Sequence, residues 1–244
     1  MNLDHYAKIS VLFDYPTESY YESVAKVKAD LLALGYKDAV EELEKFEKLI
    51  PKDIYQLQEI YTKSFEVQAV TSLEIGYLLY GDDYTRGDVM VGLNQEHAAA
   101  NNDCGDELSD HLANVLRLIS KMENQETVNE LVTLMVAPAV ENMMKEFTPD
   151  SMEQKDALYA KQYKTLLVPN VPLAMFMHLI KSIYLVLDSD FDLIKENKPF
   201  GDTSFFGFLS KELEVEEGKK SSNTGCGPTF NVDGTMGSSC SSWL

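Results

Sequence analysis

Between Tyr20 and Phe65 apolar side chains recur at every third or fourth position. Tyr20, Tyr21, Val24, Val27, Leu31 and Leu34 form one run, Val40, Leu43, Phe46, Leu49 and Ile50 a second, and Ile54, Leu57, Tyr61 and Phe65 a third. A helix turns once in roughly 3.6 residues, so each run becomes a single apolar stripe. Gly35 and Pro51 separate the runs, one a residue that ends helices and the other a residue that cannot continue them. Nowhere is there a convincing alternation of apolar and polar residues, the mark of a half-buried strand. The chain is thereby constrained to an all-α fold, a single-domain bundle of roughly eight to ten helices.

The flanking segments extend the pattern. Residues 6–13 read as a short helix that stops near Tyr15-Pro16, and residues 72–80 are apolar on nearly every side, as in a central buried helix. Gly81 then turns the chain. Asp82, Asp83 or Thr85 is placed to cap a helix running through Val89, Met90, Leu93 and His97. The polar stretch 101–106 is a loop, and a helix is expected to start at Glu107, with Leu108, Leu112, Val115, Leu116 and Ile119 on its apolar face and Glu107 and His111 on one edge. Residues 128–147 are long and apolar with Pro138 inside, predicting a kink or restart. Residues 157–168 and 172–187 read as an antiparallel pair. The helical domain is assigned to 1–218, and 219–244, dominated by Ser, Gly, Thr and Asn, to a disordered tail.

Charge narrows the partners. Forty Asp and Glu against 21 Lys and Arg give a formal charge of -19 and a pI near 4.5. That field repels nucleic acid and anionic membranes and attracts a basic ligand. The first 16 residues carry no basic n-region, apolar h-region or cleavage pattern, so a cytoplasmic location is expected. Residues 171–187 contain Pro172, His178 and Lys181 and read as a buried helix rather than a membrane span. Cys104, Cys226 and Cys240 are unpaired in spacing and are expected to be reduced thiols.

The chemistry-bearing residues cluster in YGDDYTRGDVM (80–90) and ELSDHL (107–112). Carboxylates beside an imidazole suit acid/base or metal chemistry, so Glu107 with His111, perhaps joined by His97, raises the alternative of a small metal-dependent hydrolase. Four histidines and no H-E-x-x-H pattern weigh against it, and GDDYTRG lacks the lysine of a phosphate loop. No catalysis, cofactor or metal is expected; for Glu107, Asp110 and His111 peptide recognition and a purely structural role in capping the helix are the competing readings. Arg86 can pair with Asp82, Asp83 or Asp110, or bind a partner's carboxylate. Tyr61, Phe65, Tyr80 and Leu112 are candidates for an apolar peptide groove, with ordinary core as the competing reading for each. His178, among Met175, Phe176 and Leu179, reads as a satisfied core histidine.

YTKSF (61–65), YGDDYTRGDVMVGL (80–93) and ELSDHL (107–112), in this order, resemble the redox-enzyme maturation chaperones, closest to the branch of the nitrate reductase delta subunit. SVLFDYP (10–16) and VAPAV (136–140) are similar to further segments of that branch, and the likeness runs from about residue 5 to about 190. Ser109 stands where the family usually has proline. The resemblance implies an all-α chaperone that holds the apo catalytic subunit of a molybdenum enzyme, often by its N-terminal segment, until the molybdenum cofactor is inserted. It also implies that Tyr61, Phe65, Tyr80, Arg86, Glu107, Asp110, His111 and Leu112 serve client recognition. Charge reversal at Asp110 is then expected to weaken binding while sparing helical content. A permanent adaptor subunit of a finished complex is the remaining alternative.

Overall fold

The computed structural model describes residues 2–163, 165–166 and 173–193. Among these the chain is all-α, and the nearest thing to a sheet is one isolated antiparallel bridge between Glu74 and His111. In chain order the helices are α1 (Asp4–Ser10), extended by a 3-10 turn (Val11–Phe13), α2 (Tyr20–Leu34), α3 (Lys37–Leu49) and α4 (Ile54–Phe65). They continue with α5 (Ile75–Tyr80), α6 (Tyr84–Ala99), α7 (Leu112–Lys121) and α8 (Gln125–Leu131). A π-helical segment (Val132–Val136) leads into α9 (Ala137–Glu146), followed by α10 (Pro149–Gln162) and α11 (Met175–Phe191).

Two helices form the centre. On α7 Leu112, Val115, Leu116, Leu118 and Ile119 are fully buried, and α11 buries Phe176, Leu179, Ile180, Ile183, Val186 and Leu187. The second packs between α3 and α9, while α7 packs on α1. One contiguous apolar cluster runs from Leu3 to Phe191. The expected interruption at Pro138 is present: this proline lies in the first turn of α9, where its missing N–H does least harm, and the widened π turn precedes it.

Several elements differ from the sequence reading. Residues 72–80 are not one buried helix, because α5 begins only at Ile75 and Tyr77 is 43 % exposed. The stretch before α5 is instead held extended by pairing: Ile75 N–H donates to Asp110 O at 2.9 Å and Leu112 N–H donates to Leu73 O at 2.8 Å. The helix expected from Glu107 starts at Leu112, so Glu107 and His111 share no helical edge and Leu108 is exposed. The helix expected at 157–168 spans Pro149–Gln162; its polar first half offered no apolar rhythm, but Pro149 follows an extended Thr148 and opens it. The helix expected at 172–187 runs from Met175 to Phe191, four residues beyond that reading. Pro172, the closing part of the domain from 194 and the tail assigned to 219–244, with Cys226 and Cys240, lie outside the described residues. Among the described helices none is long and apolar enough to cross a membrane.

Two sequestered carboxylates pin α11. Asp190 accepts from Tyr6 Oη (2.8 Å) and Tyr36 Oη (2.6 Å) and pairs with His5 Nε2 (2.9 Å), joining α1 and the α2–α3 turn to α11. Glu42 on α3 takes Lys45 Nζ (2.9 Å), Lys181 Nζ (2.8 Å) and His178 Nδ1 (2.7 Å). His178 is thus satisfied, as expected, but by an ion-pair network at a half-buried position rather than within the core. Burial opposes ionisation of Glu42, yet the bonds from Lys181, Lys45 and His178 outweigh it and pull its pKa down to about 2. Burial likewise opposes, and His5, Tyr36 and Tyr6 overcome, at Asp190, whose pKa is lowered. Both groups bind protons more weakly folded than unfolded. Their stabilisation is complete above the ordinary carboxylate pKa, about 4, and is lost as pH falls through the folded values. Thermal melts across acid pH should show this loss in wild type, and Glu42→Gln should both lower stability at neutral pH by about 1–3 kcal/mol and flatten the acid limb.

Candidate functional site

The two signature stretches meet at a buried ion pair. Asp110 is completely buried, and Arg86 Nε donates to its Oδ2 at 3.0 Å. The second guanidinium contact is longer, 3.5 Å from Nη2 to Oδ1. Of the three carboxylates available to Arg86 by sequence, Asp110 is therefore the one bonded. The Arg86 guanidinium also lies over the Tyr77 ring at 5.5 Å, a favourable cation–π placement. Gly76 allows this arrangement: a Cβ there would sit 2.7 Å from Asp110 Oδ2 and 3.4 Å from Arg86 Cγ. Asp110 cannot yield easily, because Arg86 and the backbone bond to Ile75 fix it.

The chain reaches this point through capped turns. Gly81 ends α5 with φ 65° and ψ -147°, a conformation reserved for glycine, and Asp83 caps α6 by accepting from Thr85 N–H at 3.0 Å. His111 caps α7 through Nδ1, which accepts from Ala113 N–H at 3.3 Å. The 107–110 turn is stapled from behind. Asn114 Nδ2 donates to Leu108 O (2.9 Å) and Cys104 O (3.1 Å), and Arg117 donates to Asn114 Oδ1 (2.8 Å). Ser109 is buried; its carbonyl accepts from His97 Nε2 at 3.0 Å while its hydroxyl has no partner among the described residues. The turn is thus held by His97 and Asn114.

Beside the ion pair opens a cleft of about 650 Å³. Its walls are the end of α4 and the following loop (Phe65, Glu66, Gln68, Ala69, Thr71, Ser72, Glu74), α5 and the turn to α6 (Tyr77, Leu78, Asp82, Arg86), Leu108, Glu146, and the α10 side (Lys155, Tyr159, Tyr163). A volume of this order suits a small molecule or a few peptide side chains. Tyr77, Leu108 and Tyr163 are each more than two-fifths exposed, giving apolar contact surface at the mouth. Arg86 is bonded to Asp110 and Lys155 to Glu146 (2.9 Å), so Glu66, Glu74 and Asp82 leave the lining negative.

The residues singled out by sequence separate into three groups. Phe65 and Arg86 line the cleft and Asp110 anchors Arg86 from behind. Tyr61 and Leu112 are core, the Tyr61 hydroxyl donating to Phe13 O at 2.8 Å and its pKa raised by burial. Tyr80 is half-buried outside the lining, and Glu107 is exposed on the turn. Reversing the charge of Asp110 would set it against Arg86 in a sealed position, so damage to the fold is expected rather than the spared helicity inferred from sequence. Missed were Gly76, Tyr77, Leu108, Glu74, Tyr159 on α10 and Tyr163 just after it. Only Gly76 carried a signal, a glycine inside an apolar run without a turn to make.

Of the two imidazoles near the turn, His97 has both ring nitrogens bonded and His111 uses Nδ1 to cap α7. His97 Nδ1 accepts from Asn102 Nδ2 (2.9 Å) while Nε2 donates to Ser109 O, the tautomer assigned by this network. Among the described residues no group of three or more His, Cys, Asp or Glu side chains is gathered as metal ligands. Comparison with known proteins gives no matching family model and no matching curated protein. The likeness to the maturation chaperones therefore stands on the motifs quoted above.

Two measurements probe the turn. Gly76→Ala should cost about 1–3 kcal/mol by overpacking against Asp110. In a cycle with Asp110→Ala the double variant should lose less than the sum of the single variants, because the clash disappears with the carboxylate. Burial holds the His111 pKa below the ordinary imidazole value, against the opposing influence of Glu107, Glu74 and Asp14, and burial does the same at His97. The unfolded chain then protonates first. Stability is full above about pH 6.5 and falls as pH drops from there to the folded pKa values. His111→Asn, which retains a capping acceptor, should reduce this slope in denaturant titrations between about pH 6.5 and 5.

Proposed function

We propose that the chain is a maturation chaperone that binds the apo catalytic subunit of a molybdopterin-dependent oxidoreductase, of the nitrate reductase kind, through its N-terminal segment. What carries the reading is that stretches far apart in sequence, quoted for the family likeness, meet at one place, Arg86 on Asp110, with an open cleft alongside. Binding rather than catalysis fits the lining: aromatic and aliphatic surface from Tyr77, Leu108 and Tyr163, and acids at Glu66, Glu74 and Asp82 that form no ion pair among the described residues. An extended or helical client segment with apolar anchors and a basic residue complements both features. The chaperone's part is to cover that segment until the molybdenum cofactor is in place, working in the cytoplasm on a client not yet assembled.

The full chain should co-purify with an apo molybdoenzyme catalytic subunit and bind that subunit's N-terminal peptide in calorimetry. Leu108→Ser combined with Glu66→Lys, both at exposed positions of the lining, should weaken the peptide at least about tenfold with no change in melting temperature. A wild-type chain that binds neither subunit nor peptide ends the proposal.

A further inference from the structure

Helix α10 forms one wall of the cleft through Lys155 and Tyr159, yet it contributes no buried residue, unlike α2, α3, α4, α6, α7 and α11. Met152 is the α10 hydrophobic packed against the core among the described residues. The remaining described ties to the body are polar. Asp156 Oδ1 accepts from Lys63 Nζ at 2.8 Å, Lys155 Nζ donates to Val70 O at 2.5 Å, and Tyr159 Oη donates to Ala69 O at 2.9 Å. Lys155 also pairs with Glu146 at 2.9 Å. Nearly all of them converge on Lys63 and the loop that follows α4.

Such a contact is readily exchanged. Water can replace each hydrogen bond made by α10, whereas it offers no substitute for apolar burial. Lys63 resists most: it is 2 % exposed, and although its ammonium also donates to Gln68 O at 2.9 Å and lies 5.2 Å over the Tyr159 ring, it would lose its counter-charge in a dry position if Asp156 were removed while α10 stayed in place. Displacing the whole helix avoids that penalty, because Lys63 becomes hydrated as Asp156 leaves. Only the lysine of this pair is buried, the Asp156 side chain being 47 % exposed, so the pair itself contributes modestly and its loss is offset in part by hydration of Lys63 once α10 moves away.

We propose that α10 is a latched wall, released as a unit from the loop after α4 when the Lys63–Asp156 pair breaks, to widen the cleft over Phe65. Beneath it Phe65 sits 4.8 Å from Phe176 and 6.2 Å from Phe147, ring centre to ring centre, so release offers an entering segment an aromatic floor. This deepens the client-binding reading and rests on it for its purpose, while the latch itself acts without a client.

Amide hydrogen exchange on the full chain tests it with no client added. A helix of 14 residues freed from its support is marginal in water, so release registers as lost amide protection in α10. In wild type the α10 amides should exchange at least about tenfold faster than those of α7 and α11. Asp156→Asn, at a side chain 47 % exposed, and Tyr159→Phe should each accelerate α10 several-fold and leave α7 and α11 unchanged; added salt should act like Asp156→Asn. Protection of α10 equal to that of α7, or α10 rates unmoved by Asp156→Asn, would overturn the latch. Because no client is present, a chain that fails to bind a molybdoenzyme peptide leaves this result standing or falling by itself.

Discussion

The carboxylate of Asp110 is sealed from solvent, and the surrounding structure can be understood as the means of keeping it paired. Taking a charge out of water is costly unless it meets an opposite charge in good geometry. Arg86 supplies that charge from α6, and Gly76 removes the one atom that would stand in the way. The flanking backbone contributes as well: the Glu74–His111 bridge fixes the approach to α5 against the entry to α7, so Asp110 is held by main chain on one side and guanidinium on the other. Among the described residues, this short extended pairing locks residues 73–75 in register with the second signature stretch, and Arg86 ties the first to it.

The same logic recurs at a larger scale. Asp190 and Glu42 each gather several donors from different helices, so α11 is fixed in rotation as well as buried by its apolar face. Hydrophobic burial is non-directional and would tolerate sliding of one helix on another; a carboxylate with fixed donors does not. The excess of acids over bases gives the chain its field, but the acids that matter for architecture are the few withdrawn from it. Glu66, Glu74 and Asp82, by contrast, line the cleft, where the proposed client segment would meet them.

Around the cleft, rigidity is distributed unevenly. One side is the Arg86–Asp110 clamp, backed by His97, Asn102 and Asn114 with their bonds to the turn. The other is α10, a helix attached by Lys63, Lys155 and Tyr159 with little apolar burial. On the proposed reading, a cleft between a fixed wall and a releasable one would order part of its ligand in advance and still admit a segment larger than the resting opening.

Much of the architecture was legible in the sequence because it depends on local periodicity. The stripes of α2, α3 and α4, the stops at Gly35 and Pro51, the Gly81 turn and the interruption near Pro138 all follow from side-chain spacing and backbone allowances that a chain carries with it. The site was legible only in outline. Arg86 and Asp110 were marked as candidates, but the choice of Asp110 over Asp82 and Asp83, the capping role of His111 and the exposure of Glu107 and Leu108 depend on where α5 and α7 lie relative to one another. Lys63 shows the limit most clearly: it lies on the buried side of α4 because Asp156, 93 positions further on, is folded against it. Spacing along a chain determines which face of a helix is apolar; which charged groups meet across helices is decided only when the faces are packed.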